Sequence, residues 1–274
     1  MSASSSTNLR LGFIGAGKLA GSVIRGLVRA RYCAPGLILV SEPNENTRHV
    51  LEHELGVSGT ADNAEVAEKS GVVFIGVKPQ VVLPVLAELA PMLERKVVVS
   101  FAAGVRIASM EKIAAAHFIR AMTNTPSAIC RAATALARGC RTTNSQLSNA
   151  REIFGTIGGV VEISEEQIDA VTALAGSGPA FVYSVIEALA RGGERSGLAW
   201  ETALALATQT VLGAAQLASE TRLAPEELRR MVVTPGGTTA AGLAAMEEHK
   251  TAAGLIAAVE AAVKRSQEMA QEHQ

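Results

Sequence analysis

The first residues whose types and spacing could do chemistry are Gly15-Ala16-Gly17-Lys18-Leu19-Ala20, a G-x-G-x-x-A pattern between an apolar stretch and a helix-like one. In that context Gly15 permits a tight turn and Gly17 lets a pyrophosphate approach the backbone. Ala20 keeps the helix close to the sheet, and the phosphates rest on free N–H groups at the helix start. A ligand-free glycine turn spells the same way; the preceding strand and the βα units that follow favour a dinucleotide. Ser41-Glu42-Pro43-Asn44 closes the second strand. A carboxylate there binds the ribose hydroxyls of NAD and repels a 2′-phosphate, so Glu42 favours NADH. If Glu42 points outward, Ser41, Asn44 and Arg48 could hold the phosphate instead, and NADH and NADPH both stay open. Gly76-Val77-Lys78-Pro79 ends another buried strand, which makes Lys78 either a neighbour of the cofactor or a solvated helix-start lysine. Ala102-Ala103-Gly104 is the equivalent strand end one unit on, with room for a nicotinamide or simply a tight turn. In Met122-Thr123-Asn124-Thr125-Pro126, the Thr and Asn side chains could bond a carboxamide or a substrate, or build an Asx-type turn.

The second half carries Thr234-Pro235-Gly236-Gly237-Thr238-Thr239 between two helical stretches. Two glycines there expose consecutive backbone N–H groups at a helix start, a nest for an anion, with Thr238 or Thr239 as the expected N-cap. A bare helical connection needs only one glycine. Hydroxyl-to-carbonyl dehydrogenases commonly use a positioned acid–base group. Here His49, His53, His117, His249 and His273 all lie outside these motifs, and Lys250 and Lys264 are remote in sequence from Gly176-Ser177-Gly178. That favours a reduction needing little proton transfer. An iminium fits, because it already carries its proton.

The elements that must position these residues alternate through the first 165 residues. Short apolar strands at Leu9–Gly15, Leu37–Val40, Val72–Val77 and Lys96–Phe101 alternate with helical spacing at Lys18–Arg29 and Asn44–Leu55. Weaker strands are expected at Phe118–Ala121 and Thr134–Ala137. Strands apolar throughout are buried on both faces, as in a parallel sheet covered by helices, so the expected fold is α/β, an N-terminal Rossmann-type doubly wound sheet. After about Asp169 the sequence reads as helix throughout, with Pro179 at a helix N1 position. Alanine rises from 23 of the first 164 residues to 25 of the last 110. Such small residues suit helix pairing with a second copy, or high helix propensity alone. The expected division is a disordered tail at 1–8, a dinucleotide-binding domain at 9–165 and an all-α substrate and dimerisation domain at 166–274.

Composition narrows the alternatives. The 274 residues carry 25 basic and 26 acidic side chains, a net charge of −1, which excludes a broadly basic nucleic-acid or membrane binder. With one Trp, two Tyr and six Phe, a base-stacking surface is not expected. No apolar run approaches membrane-span length, and a secretory signal is not expected of the polar, Ser-rich start. Cys33, Cys130 and Cys140 form no C-x-x-C pair, so neither a disulfide framework nor a metal site is expected, and a reducing, cytoplasmic setting suits them.

Taken together, FIGAGKLA, VKP, SFAAG, RAMTNTP, IDAVTALAGSGPAF, LGAA and TPGGTTAAGL resemble the pyrroline-5-carboxylate reductases in content and order, from Leu11 to about Ala262. The resemblance implies reduction of 1-pyrroline-5-carboxylate to L-proline by NADPH or NADH, and a helical domain interlocked with a second subunit. The assembly would be a homodimer at least, with a decamer of five dimers as the larger form. Ile14, Gly15, Ala16, Gly17, Lys18, Leu19, Asn63, Gly76, Val77, Lys78, Pro79, Ala102, Ala103 and Gly104 would line the cofactor. Thr234, Gly236, Gly237 and Thr238 would hold the substrate carboxylate, and Thr239 would bond the ring nitrogen. Glu165 would lie in the substrate region or be solvated. Val233 stands where the family has a small residue, and Glu42 where many relatives have a small polar one. Two rivals remain: a β-hydroxyacid dehydrogenase, whose second-domain lysine is missing from Gly178-Pro179-Ala180-Phe181-Val182-Tyr183, and a non-catalytic dinucleotide sensor.

Overall fold

The computed structural model describes residues 9–272; the tail expected at 1–8 lies outside them. Strands β1 (Leu11–Ile14), β2 (Ile38–Ser41), β4 (Val72–Ile75) and β5 (Val97–Ser100) are buried almost throughout, as their unbroken apolar runs require. With β3 (Ser58–Thr60), β6 (His117–Met122), β7 (Ala132–Arg138) and β8 (Gly158–Glu162) they form one eight-stranded sheet in the order β3-β2-β1-β4-β5-β6-β7-β8. Every neighbouring pair is parallel except β6–β7.

Helices α1 (Lys18–Arg29), α2 (Glu45–Leu55) and α6 (Asn144–Gly155) supply one hydrophobic layer, and α3 (Asn63–Lys69), α4 (Pro79–Leu93) and α5 (Ile107–Glu111) the other. In α1 the buried residues Ala20, Val23, Ile24 and Leu27 repeat at helical spacing. Four of the six phenylalanines form one cluster on this layer: Phe13 stacks on Phe74 at 4.5 Å between centroids, Phe101 stacks on Phe74, and Phe154 meets both edge-on. The chain runs outward from β1 through β2 to β3, then returns to place β4 on the other side of β1. That reversal opens the crevice in which α/β folds bind ligands, at the carboxyl ends of β1 and β4.

The helical part comprises α7 (Ile168–Val171), a π-turn at Thr172–Gly176, α8 (Gly178–Arg195), α9 (Trp200–Thr221), α10 (Pro225–Val232), α11 (Thr238–Glu248) and α12 (Thr251–Glu272). The chain packs as two compact units: residues up to Ser177 together with those from Ala261 onward, and Gly178–Glu260. These compact units part at Ser177, twelve residues after the position where the sequence suggests a division. Ile168 is buried with Met122 and Ala137, and Ser266 Oγ donates to Asp169 Oδ1 at 2.6 Å, so these helical segments belong with the sheet. The interior of the second unit is small, with buried Ala190, Ala203 and Ala207 flanked by Ile186 and Trp200. Arg191 lies 5.6 Å above the Trp200 ring.

The helical run Glu165–Arg195 has 31 residues and is long and apolar enough to cross a bilayer by length and composition. Asp169, Ser177 and Pro179 interrupt its apolar residues, which is why no unbroken stretch is visible in the sequence. Its first turns are spent in a folded core, where Ile168 and Ala173 are buried.

Candidate functional site

Two of the glycines that build the crevice leave no room for a side chain. Gly15 has φ +83°, and a Cβ there would lie 2.8 Å from Val77 Cγ1 and 2.9 Å from Val77 N. Across from it, a Cβ on Gly76 would lie 2.7 Å from both the Gly15 oxygen and Ala20 Cβ. The backbones are locked by bonds from Gly15 N–H to the Ser41 oxygen and from Gly76 N–H to the Ile14 oxygen, both 2.8 Å. Gly17 differs. It is the N-cap of α1, in extended conformation, and a Cβ on it would meet no protein atom within 4 Å. No contact within the chain demands glycine there, and the first-turn N–H groups have no intrahelical acceptor. A pyrophosphate fits both observations, so the residues present suit a dinucleotide. A cleft of about 460 Å³ opens beside this turn, lined by Gly17, Lys18, Arg25, Asn46, Thr47 and Val50 among others.

The remaining expected cofactor residues are distributed unevenly. Ile14 and Ala16 are buried, Leu19 is half-buried and Lys18 exposed, so the turn offers backbone rather than side chains. Glu42 turns inward: its Oε2 accepts from Ala16 N–H at 3.0 Å and its Oε1 from Asn44 N–H at 3.1 Å. Ser41 is buried and donates to Asn63 Oδ1, which orients Asn63 at the start of α3. Val77 and Pro79 are half-buried beside Gly76, while Lys78 is exposed as the N-cap of α4. Of Ala102, Ala103 and Gly104 only Ala103 is partly open. Gly104, at φ +75°, is small because Met269 and Ala270 of α12 pack on it, 3.2 Å from where its Cβ would be.

The Thr123-Asn124 segment serves the framework. Thr123 and Thr134 share a buried hydroxyl–hydroxyl bond of 2.8 Å. Asn124, also buried, accepts from Ala133 N–H at 3.1 Å and donates Nδ2 to the Ala175 oxygen at 3.0 Å. In an unbroken α-helix that oxygen would receive the N–H of residue 179, but residue 179 is proline and has none. The π-turn takes up the local misfit, with Ser177 N–H bonded to the Thr172 oxygen at 2.9 Å, and the Asn124 amide supplies the missing donor. Asn124→Ala is expected to cost about 1–3 kcal/mol by leaving these groups unpaired. The loss would be read as a lower urea midpoint with cofactor affinity unchanged; an unchanged midpoint would contradict the assignment.

Arg120 opens the RAMTNTP motif within β6, and its role was not visible in the sequence. Its guanidinium is buried and bonds Glu165 Oε1 at 2.9 Å; the same oxygen accepts Ile107 N–H at 2.7 Å. Glu165 is therefore neither solvated nor idle: it pairs a buried cation and holds the start of α5. A lone Arg among apolar strand residues was the signal available, since a buried cation needs a carboxylate.

In the second unit, the N-cap of α11 is Gly237, not Thr238 or Thr239. Gly236 has φ +72°, and Gly237 N–H bonds the Thr234 oxygen at 3.0 Å in a turn so tight that a Cβ on Gly237 would strike Thr234. The glycine cap leaves the threonine side chains unspent. The hydroxyls of Thr234, Thr238 and Thr239 make no hydrogen bond within the described residues, and the first-turn N–H groups of α11 point out of the helix unpaired. Val233 is half-buried as the extended C-cap that follows α10. Among the described residues, no cluster of His, Cys, Asp and Glu could hold a metal ion.

Comparison with known proteins follows these two features closely. Residues 10–104 match the family described as NADP oxidoreductase coenzyme F420-dependent, and residues 165–269 match pyrroline-5-carboxylate reductase dimerisation. The chain is 42% identical over 263 residues to a pyrroline-5-carboxylate reductase of Synechocystis, covering 96% of this chain and 98% of the relative. It is also 42% identical over 267 residues to that of Arabidopsis thaliana, covering 96% of each. Among solved structures, a pyrroline-5-carboxylate reductase from Coxiella burnetii superposes with TM-score 0.88 at 36% identity, over 96% of this chain and 99% of the other. The Plasmodium falciparum pyrroline carboxylate reductase with NADP bound gives 0.87 at 27% identity, over 96% and 98%.

Proposed function

The chain belongs to the pyrroline-5-carboxylate reductase family, and from that membership we propose that it reduces 1-pyrroline-5-carboxylate to L-proline with NADH or NADPH, the last step of proline biosynthesis. The observation that carries the chemistry is the TPGGTT loop, a glycine-capped helix start whose three threonine hydroxyls are unspent. The α11 N–H groups next to Gly236, Gly237 and Thr238, with the Thr234 and Thr238 hydroxyls, anchor the substrate carboxylate where the helix dipole favours an anion. The Thr239 hydroxyl bonds the ring nitrogen. When bound, the reduced nicotinamide supplies a hydride, which adds to the ring carbon of the iminium. The C=N π electrons become the nitrogen lone pair, and because that nitrogen was already protonated, the product is the neutral secondary amine, which takes a proton from water.

No strong acid is needed at the loop. His249 ends α11, roughly 16 Å along the helix from Thr238. Gly15, Ala16, Gly17, Lys18 and Leu19 form the pyrophosphate cradle in this reading. Glu42 and Asn63 lie toward the adenosine end, and Gly76, Val77, Lys78, Pro79, Ala102 and Ala103 toward the nicotinamide. Ser41, Glu165 and Gly104 support these groups from beneath.

The chain forms a homo-oligomer through its helical half. Leu206, Leu212, Met231, Val232 and Ile256 are each more than half exposed in one chain, as helices awaiting a partner would be. We take a dimer as the minimum and a decamer of five dimers as the larger assembly. The three unpaired cysteines suit the cytoplasm. The test is initial rates with 1-pyrroline-5-carboxylate and each reduced cofactor across a dilution series followed by sedimentation. Turnover that fades as dimers dissociate is expected. Cofactor binding without turnover of any cyclic imine would favour a sensor, and a fully active monomer would refute the assembly.

A further inference from the structure

We infer that this chain discriminates against the 2′-phosphate and is built for NADH, with Glu42 as the residue that decides. The inference rests on the dinucleotide reading of the glycine turn and deepens it. The end of β2 lies against that turn through the bond from Gly15 N–H to the Ser41 oxygen. Glu42, the next residue, directs its carboxylate back over the turn, with Oε2 on Ala16 N–H and Oε1 on Asn44 N–H. In dinucleotide folds this corner receives the adenosine ribose, whose two hydroxyls can both donate to a carboxylate. A 2′-phosphate would bring its negative charge onto the same spot.

The groups that could offset that charge are otherwise engaged. Ser41 is 1% exposed and donates to Asn63. The Asn44 side-chain oxygen caps α2 by accepting from Thr47 N–H at 2.9 Å. Arg48 Nη1 donates to the Glu42 backbone oxygen at 2.8 Å, which ties the guanidinium to the backbone side of the corner. Arg25, on the wall of the adjoining cleft, is paired with Glu54 at 2.7 Å. Lys18, exposed in the first turn of α1, is the cation left over, and in the dinucleotide reading it belongs to the pyrophosphate. The inward carboxylate is thus the charge that meets the 2′ position.

The experiment uses two probes that lack nicotinamide and cannot turn over, ADP-ribose and 2′-phospho-ADP-ribose, titrated calorimetrically into the intact protein. The parent is expected to bind ADP-ribose about tenfold or more tighter. Glu42→Gln, with its melting temperature checked, is expected to shift that ratio about tenfold toward the phosphorylated probe, mainly by tightening its binding. Glu42→Asp keeps the charge and should keep the preference. Equal or tighter binding of the phosphorylated probe by the parent, or an unmoved ratio in Glu42→Gln, overturns the inference while leaving the dinucleotide site intact. If neither probe binds, the dinucleotide reading falls and takes this inference with it.

Discussion

Gly17→Asp is expected to weaken NADH and NADPH binding by roughly 30- to 1,000-fold while the protein melts at or slightly above its usual temperature. The two halves of this result have separate causes. Gly17 has φ −60° and ψ −175°, an extended conformation open to any residue, and its Cβ direction is empty. It is also an N-cap without a side-chain cap, a position where Asp is favourable. Folding therefore has nothing to object to. The pyrophosphate does: the added carboxylate takes up the space the phosphates need and repels each at about 4 Å, worth about 1 kcal/mol in bulk water and several at a protein surface. Fluorescence titration and calorimetry on the same preparation decide the matter. Normal affinity would remove the turn from the phosphate site, and a lost fold would mean that Gly17 is structural. The contrast with Gly15 is instructive, because there the positive φ and the Val77 contact make any side chain a folding defect first.

Thr239→Ala should lower kcat/KM about 10- to 150-fold, the equivalent of one hydrogen bond to a charged group at about 1.5–3 kcal/mol. Its hydroxyl has no partner within the described residues, so truncation leaves no protein group unpaired and the loss reports the substrate alone. Cofactor affinity should stay near normal. Thr239→Ser restores the hydroxyl and should recover most of the rate, since the contribution is orientation of an iminium that is already protonated. The cap of α11 is Gly237, so helix capping cannot be the reason for a defect. Equal damage from Ser and Ala would point to packing of the methyl group instead, and an undamaged Ala variant would remove Thr239 from the chemistry.

What the sequence made legible was whatever local chemistry dictates. Unbroken apolar runs gave β1, β2, β4 and β5, and helical spacing gave α1 and most of the second half. The glycine turn and TPGGTT loop stood out because each has glycines where a side chain would clash or the backbone must be left-handed. Edges were harder to see. β3 is Ser-Gly-Thr and β8 begins with two glycines, so neither has an apolar face to announce it, and both are held by pairing with a neighbour. The antiparallel setting of β7 follows from the short connection after Met122, which carries no periodicity. Side-chain direction was hidden altogether. That Glu42 turns inward, that Asn124 compensates for Pro179, and that Glu165 answers Arg120 are all facts about partners 9 to 55 positions apart in the chain. The cap of α11 was misread because threonine is the better cap in general, whereas here the tight turn at Thr234 leaves room only for glycine.

The helical half has a consequence beyond catalysis. Its own interior is three buried alanines beside Ile186 and Trp200, whereas its large aliphatic side chains lie outside. So little buried surface cannot offset the conformational entropy of ordering about 80 residues. For this half, acquiring structure and acquiring a partner are then a single equilibrium, governed by mass action. A newly made chain must find a second copy before its aliphatic surface finds something else. A substitution that weakens these helices therefore weakens pairing in the same measure, and a higher concentration of the chain offsets it.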